Sequence, residues 1–63
     1  MAEVSLVEQI IFVEREIRMR RLVFPVWIRE GRMTQENANW EIEVMSAVHE
    51  TLQKLQAGSA VDA

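Results

Sequence analysis

Residues 5–30 read SLVEQIIFVEREIRMRRLVFPVWIRE, and their apolar spacing decides the fold. Leu6, Ile10, Val13 and Ile17 recur at intervals of four, three and four. At helical pitch they fall within about 60° of one another and form one seam. The stretch opens on Ser5-Leu6-Val7-Glu8, a capping-box pattern in which Ser5 accepts from a free backbone N–H and Glu8 reaches back to the cap N–H. Apolar residues are not confined to the seam. Phe12, Met19 and Val23 occupy the opposite side, and Val4, Val7, Ile11 and Leu22 a third flank. A helix apolar nearly all round must be covered on more than one side.

Pro25 lacks an N–H and clashes with the preceding turn, so it either kinks a long helix or stops it. Val26–Glu30 keeps helical character, which favours a kinked helix 1 over about 5–30. Gly31-Arg32-Met33-Thr34 then reads as a turn: Gly31 ends the helix, Thr34 caps the next, and Met33 is placed to pack on Ala38. Helix 2 is expected over about 35–56, with a seam of Ala38, Ile42, Met45, Val48, Leu52 and Leu55 broad enough to include Val44. Gly58 would cap it, leaving 57–63 (AGSAVDA) as a flexible C-terminal tail behind a single domain over 1–56.

The expected fold is therefore all-α, a two-helix antiparallel hairpin. One partner helix covers only one side of helix 1. A homodimeric four-helix bundle would cover the second, with Phe12, Met19, Val23, Ile11 and Leu22 in its interface.

At 63 residues and 7.3 kDa, with 49% apolar and 27% charged residues, the chain is globular in composition and small. A core of this size supplies only about 3–5 kcal/mol, which argues against a self-contained enzyme. The absence of cysteine excludes a disulfide scaffold and a thiolate zinc site. Gly31 and Gly58 are too far apart for a phosphate loop, and no serine has His49 at a suggestive spacing. His49, the lone histidine, is expected to pack on a neighbouring carboxylate or carbonyl. No catalytic residue, cofactor or metal ligand is expected, nor a membrane span or secretory signal, and the cytoplasm is the default location.

Net charge is −3, unevenly spread. Six of seven basic residues lie between positions 15 and 32, where they outnumber acids by four, while the remainder carries −7. The pairs Glu14/Arg18 and Glu16/Arg20 have favourable i, i+4 spacing. The arginines are expected either to pair with helix acids or to reach a partner; Arg18 and Arg21 are the candidates for nucleic-acid contact. Trp27 and Trp40 either close the ends of the core or anchor a partner, with Arg29 and Arg32 beside Trp27.

Residues 16–52 carry a pattern of Arg20, Arg21, Phe24, Pro25, Trp27, Ile28, Gly31, Arg32, Met33, Thr34, Glu41, Ile42 and Met45. This aromatic-Pro-x-Trp…Gly-Arg-Met-Thr arrangement resembles that of small, functionally uncharacterised phage and prophage helical proteins. Phe24 stands where the pattern has tyrosine, and Val26 where it has arginine. The resemblance implies a phage or prophage setting and no reaction. With it, the expected function is a non-enzymatic accessory protein that binds and modulates or inhibits a host protein in the host cytoplasm. The alternative is a nucleic-acid-binding accessory factor using the arginine-rich end of helix 1 and the turn.

Overall fold

The computed structural model describes residues 3–62, with side chains through residue 58. Two antiparallel helices, α1 (Leu6–Arg29) and α2 (Gln35–Asp62), pack as a hairpin, with no strand among the described residues. The α1 start is set by Ser5, whose hydroxyl accepts from the Glu8 N–H at 3.1 Å. The Glu8 side chain closes on that hydroxyl (3.3 Å) rather than on the Ser5 N–H, a departure from the expected capping box. The helix runs unbroken through Pro25. Pro25 lies on an exposed flank and has no N–H to donate to the Arg21 carbonyl.

The turn is built by backbone geometry. Gly31 has φ +75°, a left-handed conformation that glycine adopts without penalty. Its N–H donates to the Ile28 carbonyl (3.1 Å), and the Arg32 N–H to the Trp27 carbonyl (2.8 Å). These bonds satisfy carbonyls that the helix end would leave open. Thr34 then caps α2: its hydroxyl accepts from the Asn37 N–H at 3.1 Å, and its carbonyl from the Ala38 N–H.

The α1 seam is as expected. Ile10 and Phe24 are buried, and Leu6, Val13, Ile17 and Ile28 are half-buried. From α2, Ala38 is buried and Ile42, Met45 and Leu52 are half-buried. Val44, Val48 and Leu55 do not belong to this seam: all three are exposed. At helical pitch they lie about 80–120° round α2 from Ala38, whereas Met45 and Leu52 stay within about 40° of it. The end of α2 also differs from expectation. The helix continues to Asp62, so Gly58 is an interior helical residue rather than a cap. Ala63 lies outside the described residues.

The molecule measures 49 × 25 × 16 Å, and its radius of gyration is 14.8 Å against about 11 Å for a compact chain of this length. A thickness of 16 Å is little more than one helix with its side chains. Among the described residues only Ile10, Phe24 and Ala38 form a buried core, at 8%, 5% and 3% exposure.

Candidate interaction surface

What the hairpin leaves uncovered is the notable feature of its surface. Val4, Val7, Ile11, Phe12, Met19, Leu22 and Val26 of the α1 arm are exposed, Leu22 most of all at 77%. On α2, Trp40 (63% exposed), Val44, Val48 and Leu55 form a second uncovered stripe. Spacing along α2 puts Val44, Val48 and Leu55 in the hairpin seam, whereas the structure places them on this exposed stripe. Its spacing of four, four and seven from Trp40 was the available signal.

Part of each stripe shares one side of the hairpin. Met19, Val23 and Trp27 line a shallow depression with Glu41 of α2. Val48 and Leu55 follow Glu41 by seven and fourteen residues and continue the same flank. Of the residues expected at a dimer interface, Phe12, Met19, Ile11 and Leu22 are exposed and Val23 is half-buried. Phe12 and Met19 border this side with Val23, whereas Ile11 and Leu22 stand further round α1, among Arg15, Arg18 and Arg29.

The tip divides its residues between fold and surface. Trp27 is half-buried, with its ring 5.8 Å from that of Phe24. The Arg32 guanidinium lies over Trp27 at 5.0 Å and is 3.4 Å from Glu30 Oε1. These two residues, expected as partner contacts, thus hold each other across the turn. Arg29 is exposed beside them. Trp40 is removed from this cluster and borders a depression with Glu36, Asn37 and Glu43.

Among the arginines, Arg20 lies between two carboxylates, Glu16 Oε1 at 3.4 Å and Glu41 Oε1 at 3.2 Å, so the expected Glu16/Arg20 pair forms. The Glu14/Arg18 pair does not. Glu14 turns to His49, whose Nε2 is 2.9 Å from Glu14 Oε2, giving the histidine its expected carboxylate partner. Arg18 and Arg21 remain at the edge of the shallow depression that holds this pair. Arg15 stacks on Phe12 at 5.3 Å. Among the described residues, Arg15, Arg18, Arg21 and Arg29 have no carboxylate within ion-pair distance.

Among the described residues, no three His, Asp or Glu side chains converge as a metal site, and no buried side-chain polar atom lacks a partner. No described helix is long and apolar enough to cross a membrane. No protein-family model matches the chain, and comparison with curated proteins and solved structures gave no significant match.

Proposed function

We propose that this chain is a small non-enzymatic interaction protein that works as a homodimer and binds a second protein to modulate or inhibit it. The observation that carries this reading is the imbalance, among the described residues, between three buried core residues and eleven exposed large apolar side chains. Isolated exposed apolar residues are ordinary, but stripes of them mark surfaces that meet another protein. Trp40 is the partner anchor of this reading. It is rigid, largely exposed and bordered by Glu36 and Glu43, so it suits a partner offering an apolar pocket with basic neighbours. In the phage or prophage setting that the sequence resemblance implies, the partner is a protein of the host cytoplasm.

A second reading rests on the unpaired arginines. Arg15, Arg18, Arg21 and Arg29 present charge that no carboxylate among the described residues neutralises, as suits contact with a nucleic-acid backbone.

Capture from host lysate with the immobilised protein, with and without nuclease, separates the two. A protein retained after nuclease treatment, and lost from Trp40→Ala, supports the first reading. Capture abolished by nuclease, and weakening steeply with salt, supports the second.

A further inference from the structure

We propose that the cleft beside the turn binds a small monocarboxylate with an apolar body. The carboxylate would sit on Arg21 and Asn39, and the body on the floor between the helices. The cleft measures about 430 Å³, within the range of small-molecule sites. It opens on the other side of the seam from the one on which Met19 and Val23 meet Glu41. Each helix lines it with a two-turn set at i, i+3, i+4 and i+7: positions 21, 24, 25 and 28 of α1, and 35, 38, 39 and 42 of α2. The site needs neither a second copy nor a protein partner, so it goes beyond the function proposed above.

The apolar and polar members of these sets separate. Phe24 and Ala38, both buried, and the half-buried Ile28 and Ile42 make the floor. Ala38 is the small member, and its methyl group leaves room between the helices. Arg21 stands on one rim and Asn39 on the other, both exposed. Gln35 Nε2 donates to Asn39 Oδ1 at 2.9 Å. That bond occupies the Asn39 oxygen and keeps its two N–H donors for a ligand.

Arg21 selects the ligand. Among the described residues no carboxylate lies within ion-pair distance of it. The reason is local: the positions one turn away hold Ile17, Arg18, Phe24 and Pro25, none of them acidic. No acid lines the cleft either. Arg20, one residue earlier, has both Glu16 and Glu41. A guanidinium without a carboxylate, at the mouth of an apolar cleft, favours an anion, and its planar fork matches a carboxylate through two parallel hydrogen bonds. One cation calls for one negative charge. Arg18 borders the neighbouring depression with Glu14 and His49 and does not line this cleft, which favours a monocarboxylate over a phosphate.

Titration of the ¹⁵N-labelled chain with octanoate, acetate and octanol, followed by amide shifts in NMR spectra, tests the site. Octanoate should saturate with a Kd of about 1 mM or below. Its largest shifts should fall at Ala38, Asn39 and Ile42, and those at Val44 and Val48 should be small. Acetate, which lacks the body, and octanol, which lacks the charge, should each bind at least about tenfold more weakly. Arg21→Gln should weaken octanoate at least about fivefold, and Arg18→Gln should leave it unchanged. Both positions are exposed, so both variants should keep the parent's helical circular dichroism. Five outcomes each overturn the proposal: no saturation by octanoate, octanol binding as tightly as octanoate, unchanged affinity in Arg21→Gln, an equal loss in Arg18→Gln, or largest shifts at Val44 and Val48.

Discussion

The Arg32 guanidinium sits 5.0 Å over the indole of Trp27, five residues earlier in the chain. The Arg32 N–H also donates to the Trp27 carbonyl, so backbone and side chain close the same turn. At a helix end of this type an apolar contact commonly links these two positions, and here a cation stacked on a ring takes its place. Trp27 thus contributes to folding. Trp27→Ala should destabilise the hairpin by about 1–2 kcal/mol through lost burial and stacking. Arg32→Ala should cost about 0.5–1 kcal/mol. Thermal melts followed by circular dichroism check both; melts matching the parent's would mean the stack carries no stability.

The turn makes a second demand. Gly31 at φ +75° has open space around it, with no atom within 4 Å of the place a Cβ would take, so a side chain there meets backbone strain and no clash. Gly31→Ala should cost about 1 kcal/mol, and Gly31→Val more, because β-branching further disfavours positive φ. Thr34→Ala should cost about 1 kcal/mol through the lost bond to the Asn37 N–H. Denaturant titration of the three variants, at one protein concentration, gives the comparison.

Most of the fold is legible in the sequence, for local reasons. Ser5, Gly31 and Thr34 act through bonds to residues three or four positions away, so their spacing alone places both ends of α1 and the start of α2. Two features are less local. Gly58 weakens a helix without ending it, and α2 runs on to Asp62. Val48 and Leu55 look like seam residues by spacing but lie about 80–100° round α2 from Ala38, which leaves them exposed. The Trp27–Arg32 stack becomes visible only once Gly31 is recognised as the left-handed residue that fixes the positions on either side. The choice of His49 over Arg18 as the partner of Glu14 depends on the antiparallel register, which spacing within α1 does not contain.

Burial and ion pairing should separate cleanly in mutational cost. Phe24 is 5% exposed, and Phe24→Ala should cost about 3 kcal/mol or more, enough to unfold most of so small a domain. The Arg20 side chain is 31% exposed and its two carboxylates more so, and water screens both pairs. Arg20→Gln should therefore cost less than about 1 kcal/mol. Equal losses at the two positions, read from melting curves, would show the Glu16–Arg20–Glu41 bridge to be as important as the core.

Trp40 stands apart from every intramolecular seam. Trp40→Ala should leave the helical signal unchanged and shift stability by no more than about 0.5 kcal/mol, the range of an exposed substitution. Its effect should appear in partner binding, as a loss of more than about 1 kcal/mol by titration calorimetry with the captured protein. A large drop in melting temperature would instead assign Trp40 to packing between copies.

Sedimentation equilibrium across the micromolar range, on the parent and on Met19→Glu, tests most directly whether two hairpins share one core. The parent should sediment at twice the 7.3 kDa of a single chain. Placing a carboxylate in the exposed α1 stripe should shift Met19→Glu toward the single-chain mass, because an unpaired charge buried between copies is costly. A parent that sediments at 7.3 kDa at every concentration and still melts in one sharp transition would contradict the shared core.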